Sequence, residues 1–255
     1  ERDAQAAVPG GAAVRVGDEA AQQQQQQQQQ RADGQCMALG LPAQQQQHDD
    51  ELRRVLAASE AFDEDLLALL RAGWNTSSRR STICLAFCRS AIEHAIAQRV
   101  LIEAGLTGTA LSLIRLQFEA VVRAAWVLHA AKEDWLDKFS APVPDGELSE
   151  PQMGPPIPAM IDAIGAVAGP AATELKRLHG TVKVMHSFVH GGVHLVVHAL
   201  RGYPAGKLTS VLQNRNLLSL MLANVVVIVS QDPGLRGSVG RLSGLHAACM
   251  PPRQR

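Results

Sequence analysis

The sequence predicts an all-α protein: a helical bundle of six to eight helices behind a disordered, glutamine-rich N-terminal tail. Three observations carry this reading. After residue 49, apolar residues recur at i, i+3, i+4 and i+7, the spacing of helices that bury one face. Almost no segment alternates apolar and polar residues with period 2, as a half-buried strand would. Gly and Pro gather between the periodic stretches, where turns belong. The chain has 255 residues, 46% of them hydrophobic, enough for one domain with a sizeable core.

The tail covers residues 1–48. It holds nine consecutive glutamines, Gln22 to Gln30, and four more, Gln44 to Gln47, among Ala and Gly. Such a stretch has too little apolar surface to offset the entropy of ordering. A single α-helical domain is expected over 49–255. Its first helix, roughly 50–72, sets Leu52, Val55, Leu56, Phe62, Leu66, Leu69 and Leu70 on one stripe. Asp49 and Asp50 can cap its start and Gly73 can stop it. The second helix, roughly 78–104, carries Ile83, Phe87, Ile92, Ile96 and Leu101 and ends at Gly105. The third, roughly 109–131, is apolar almost all round. Its exceptions Ser112, Arg115, Glu119 and Arg123 fall within about 80° of arc, a narrow charged stripe.

Residues 140–158 read as a loop, marked by repeated Pro and Gly. A short helix follows at about 158–168. The next covers about 171–190, is interrupted or kinked at Gly191-Gly192, and resumes to about 200. Helix 210–230 is rich in Leu, Met, Val and Ile, and its 13-residue apolar core, 217–229, is too short to span a bilayer. Asp232-Pro233-Gly234 is a turn, and a last helix carries Leu235, Val239 and Leu242.

Composition excludes some functions. Lys plus Arg and Asp plus Glu are both 24, so overall basicity does not drive nucleic-acid binding. The zero conceals a split. Residues 49–170 carry 17 acidic and 11 basic side chains, whereas 171–255 carry 2 and 10. A phosphate-bearing partner at the C-terminal third therefore stays open, as does mutual attraction of the two parts. There is no run of 18 uncharged apolar residues and no apolar leader in residues 1–30, so a cytoplasmic protein with no membrane partner is expected. The four scattered Cys read as reduced thiols, with Cys84 and Cys88 as small buried hydrophobes.

Histidine placement is the strongest chemical signal. His179, His186, His190, His194 and His198 lie within 20 residues, the last four at every fourth position. Three readings stay open. In the first, His190 is a general base and Lys183, two turns earlier on the same predicted face, stabilises a phosphate. Such a pair cleaves RNA without metal: the His removes the 2′-hydroxyl proton and the cation balances the phosphorane. Arg115, Glu119, Arg123 and Ser187 would form a supporting polar shell. In the second, these groups are structural, and the bundle binds a small ligand or another protein without catalysis. In the third, His186, His190 and His194 bind a metal with Glu93 or Glu119, since imidazoles at i, i+4 converge on one ion. The first reading needs no cofactor. Ser187 is no hydrolase nucleophile, because neither a Gly-x-Ser-x-Gly elbow nor a strand presents it.

The run Ser187-Phe188-Val189-His190-Gly191-Gly192-Val193-His194, with Gly202-Tyr203-Pro204 and Gln117 to Trp126, resembles a family of uncharacterised bacterial helical proteins over about residues 50–252. More loosely, the chain resembles the HEPN bundles, many of them RNA-acting or defence-related. Their motif is Arg, four to six residues, then His. The match here is Lys183, six residues, His190, with Lys for Arg and an apolar Val184. That resemblance implies RNA as partner and a homodimer.

Overall fold

A computed structural model describes residues 41–71, 74, 77–142 and 154–252, leaving aside the side chains of 41–43 and Lys183. The polyglutamine run and most of the expected loop, 143–153, lie outside these residues. Contacts divide the chain into two units, Glu1–His48 and Asp49–Arg255. The first is described only over 41–48, which is helical where the composition predicts a disordered tail. The second holds the helical bundle.

The described residues contain ten α-helices and no strand. They are α1 (Leu41–Arg71), α2 (Arg79–Glu103), α3 (Thr107–His129), α4 (Glu133–Phe139), α5 (Ile157–Gly165), α6 (Gly169–Val184), α7 (His186–Val189), α8 (Val193–Arg201), α9 (Ala205–Ser230) and α10 (Pro233–Leu245). The all-α fold is as expected. The count exceeds six to eight because α4 and α7 are only seven and four residues long, too short to show a period. The β-branched run Val225 to Val229 is helical inside α9.

Local chemistry sets the helix ends. Ser78 caps α2, its Oγ accepting the Ser81 N–H at 3.1 Å, and Asp232 caps α10 by accepting the Gly234 N–H at 2.8 Å. Gly105, at φ +76°, turns the chain from α2 into α3. Around α4, Arg79 and Arg80 reach back from α2 to Glu133, and Arg80 also donates to the Val127 and Ala131 carbonyls at 2.6 and 2.8 Å. These bonds give carbonyls at and just past the C-terminal end of α3 a cationic donor, which suits the negative end of that helix.

α3 is the hub. It pairs along its length with α2 and also touches α5, α6, α7, α8 and α9. This is why it is apolar almost all round, with Phe118, Val121, Val122, Ala124 and Val127 buried. α9 packs on α2 and α3, and α10 packs on α9. α9 starts after Pro204, five residues earlier than its hydrophobic pattern indicates, and is correspondingly longer. It is the one described helix long and apolar enough to cross a membrane, with 61% of its apolar window buried inside the protein.

Unexpectedly, the core also holds charge. Arg215 of α9 is fully buried and donates to Asp63 of α1 at 2.5 Å, to the Ala95 carbonyl at 2.9 Å and to Asn216 at 2.5 Å. Arg99 of α2 binds the other oxygen of Asp63 at 3.0 Å. Asn216 in turn donates to Ser59 at 2.9 Å and to the Cys249 carbonyl at 2.8 Å. Burial pulls the Arg215 guanidinium down, and the charge and bond of Asp63 act against that. The network ties α1, α2, α9 and the C-terminal turn Ala247–Cys249 together.

Candidate functional site

The site is built where α3 faces α5, α6 and α7. A cavity of about 460 Å³ lies there, lined by Arg115, Phe118 and Glu119 of α3, Ile157 and Pro158 of α5, His179 and Val182 of α6, and His186 of α7. Phe118, Ile157, Pro158 and Val182 form apolar walls. The charged stripe on α3 supplies one polar edge and two histidines the other.

Arg115, Glu119 and Arg123 form one relay along α3. The Arg115 Nε donates to Glu119 at 2.7 Å, and the Arg123 Nη1 donates to the second carboxylate oxygen at 3.0 Å. Burial pushes the Glu119 carboxyl up, but the bonds and charges of the two arginines outweigh it and hold it below its ordinary value. The Arg115 Nη1 also donates to His186 Nδ1. That bond needs an unprotonated Nδ1, so the neutral Nε2–H tautomer is assigned from it. Desolvation, then the charges of His190 and Arg115, hold the His186 imidazole below its ordinary value against the pull of Glu119. The Nη2 of Arg115 has no protein acceptor among the described residues, nor does the buried Nε of Arg123.

His190 joins this chain from outside. It is exposed at the end of α7, its ring centroid 4.2 Å from that of His186. The structure thus assembles Arg123, Glu119, Arg115, His186 and His190 in sequence of contact. Lys183 differs from expectation. The single helix expected over 171–190 breaks at the turn residue Met185, so two turns of one helix no longer align Lys183 with His190. The Lys183 side chain is outside the described residues; among the described side chains, Arg115 contacts His186.

The fourfold histidine spacing divides at Gly191-Gly192. Gly191 is at φ +65°, and the Gly192 N–H closes α7 on the Ser187 carbonyl at 2.6 Å, a Schellman-type stop. A Cβ on Gly192 would lie 2.5 Å from the Ser187 Oγ. That Oγ accepts the His194 N–H at 3.0 Å and so caps the first turn of α8. Ser187 therefore serves the α7–α8 corner. His194 is exposed on α8. His198 turns inward, its ring stacked beside Phe188 at 6.1 Å and Tyr203 at 5.2 Å, and its Nδ1 bonds the Gly202 carbonyl at 3.1 Å. The Tyr203 hydroxyl lies against Gly108, where a Cβ would meet it at 2.9 Å. The Ser-Phe-Val-His-Gly-Gly and Gly-Tyr-Pro runs are thus two sides of one packed corner.

Among the described residues, no three His, Cys, Asp or Glu side chains gather as a metal would need, so His186, His190 and His194 are not brought together. Glu93 lies elsewhere, bonded to Arg89 at 3.2 Å beside Trp74. Cys84 and Cys88 are buried, and the hydrogen bond that Cys88 donates to Cys84, with burial, pushes the Cys88 thiol well up. Sequence reasoning placed His179 in the histidine cluster but gave it no role in the site; its ring stacks on Phe118 at 5.9 Å. The spacing of His179, Val182 and His186, at i, i+3 and i+7, is the signal that marks this cavity wall.

The fold and site define a class: an all-α bundle with an arginine–carboxylate–histidine relay at the mouth of a half-apolar cavity. The chain belongs to the family of unknown function DUF6988, which matches residues 88–252. The matched span contains the whole relay and begins inside α2, later than the resemblance over 50–252 suggests. No curated protein and no solved structure matches the chain.

Proposed function

We propose that the protein acts on RNA, with His190 as general base and Arg115 as the cation that holds the phosphate. The observation that carries this reading is the contact chain Glu119–Arg115–His186–His190 at the cavity mouth. Glu119 and His186 hold the Nε and Nη1 of the Arg115 guanidinium, and its Nη2, which has no acceptor among the described residues, is the group to hold a phosphate oxygen. No Asp or Glu occurs between Glu174 and Asp232, so the stretch from residue 175 to the end of α8 carries no carboxylate that would repel a polyanion. In the proposed step, His190 takes the proton of a 2′-hydroxyl and the 2′ oxygen attacks the adjacent phosphorus. The bond to the 5′ oxygen breaks, and that oxygen takes a proton from solvent. The products are a 2′,3′-cyclic phosphate and a 5′-hydroxyl.

The test is incubation of purified full-length protein with labelled single-stranded RNA beside His190→Ala and Arg115→Gln. Wild type is expected to leave cyclic-phosphate ends and each variant to lose at least about tenfold in rate, as removal of a general base or charge stabiliser does. Equal cleavage by wild type and His190→Ala sinks the catalytic role. The apolar walls Phe118, Ile157, Pro158 and Val182 favour a second reading, a small ligand with an apolar body and an anionic end. A ligand found by native mass spectrometry, lost in Arg115→Gln, together with no RNA cleavage, would select it.

A further inference from the structure

α8 is built inside out. Of its nine residues none is buried. Leu195 packs against the core and His198 against Phe188 and Tyr203, which fixes the inward side. Val193, Val196, Val197 and Leu200 follow at i, i+3, i+4 and i+7 and occupy about 100° of arc on the opposite side. They are 68%, 52%, 36% and 82% exposed. Single exposed aliphatic residues are ordinary, but a contiguous stripe of four aimed away from the protein marks a contact surface.

We propose that this stripe docks an acidic amphipathic helix of another polypeptide. The spacing is that of helix-against-helix recognition, where anchors repeat at i, i+3, i+4 and i+7. Charge selects the occupant. Exposed His194 and Arg201 border one edge of the stripe, Lys207 follows in the next helix, and no carboxylate occurs from residue 175 to 231. Pairing α8 with α8 of a second copy therefore sets no anion opposite Arg201 in either orientation. A lipid surface is a poorer fit, because α8 is only about 13 Å long, has a single Arg and carries no aromatic residue. A partner helix with leucines against the valines and glutamates beside Arg201 satisfies both features. The inference does not depend on the RNA reading.

The test uses the full chain and two synthetic amphipathic helices with the same leucine stripe, one flanked by Glu and one by Lys, with binding read by fluorescence anisotropy. The Glu peptide is expected to bind about tenfold more tightly. Arg201→Glu should reverse that preference, and Val196→Glu combined with Leu200→Glu should abolish binding, with helical circular dichroism unchanged in both. Equal binding of the two peptides, or binding of neither, overturns the proposal. So does a dimer in solution that Val196→Glu/Leu200→Glu dissociates, which assigns the face to a second copy. Sedimentation with phosphatidylglycerol vesicles that the Glu peptide does not displace overturns it in favour of a membrane.

Discussion

Between α1, α2 and α9 the protein buries its charges; along α6, α7 and α8 it keeps its histidines near the surface. Asp63, Arg99 and Arg215 are almost wholly enclosed, and the bonding edges of Arg215 are each met by a side chain or carbonyl. Nothing about that cluster is left for a ligand. The relay of Arg115, Glu119 and His186 uses similar groups, but it sits at a cavity mouth with a guanidinium edge open among the described residues and an exposed His190 beside it. The difference teaches that ion pairing alone does not mark function here. The two regions are separated by whether the bonding capacity is closed by the fold or left open toward solvent.

The largest effect that would break this comparison belongs to the buried cluster. Arg215→Met leaves Asp63 with one arginine and takes away the guanidinium donor to the buried Asn216 Oδ1. A loss of about 3–5 kcal/mol in denaturant unfolding is expected. A loss of under about 1 kcal/mol would mean that the cluster is no more structural than the relay. Next comes the corner between α7 and α8. Gly192→Ala drives a Cβ into Ser187, 2.5 Å from its Oγ and 3.2 Å from its Cα. It should cost about 1–3 kcal/mol and speed amide exchange in α8, while the α2–α3 pair keeps its protection. The smallest effect belongs to the relay. Glu119→Gln removes the anion between two arginines that are only partly enclosed, so about 1–2 kcal/mol is expected near neutral pH. The Glu119 carboxyl is held low in the folded protein. Its contribution is therefore complete above the ordinary carboxylate range and lost as pH falls through the lowered value. The gap between wild type and variant should narrow on acidification, as read by thermal unfolding across pH. A gap that widens on acidification would refute the lowered Glu119 carboxyl as its source.

Much of this is legible in the chain. The stripe on α3 follows from spacing alone, and Arg115, Glu119 and Arg123 do bond as consecutive i, i+4 neighbours. Such contacts are local, so a helix guarantees them once it forms. The pairing of Asp63 with Arg215 is not legible, because 152 residues separate them and neither carries a local pattern. Spacing puts Lys183 and His190 on one helix, and the turn at Met185 divides that helix in two. Nothing in the composition there marks a turn, and the break suits Phe188, which is buried beside Tyr203 and whose carbonyl accepts from Ser112 of α3 at 3.0 Å.

The sequence by itself determined the all-α class, the order of the long helices and the place where the histidine run divides. Each of these follows from hydrophobic period or from the backbone freedom of glycine, which are short-range properties. Only the tertiary structure decided which groups meet. It set Arg115 against His186, turned His198 inward, and set the valines of α8 facing out. Those outcomes depend on how α3 packs against five other helices besides its partner α2, and contacts between distant segments carry no periodic trace in the chain that forms them.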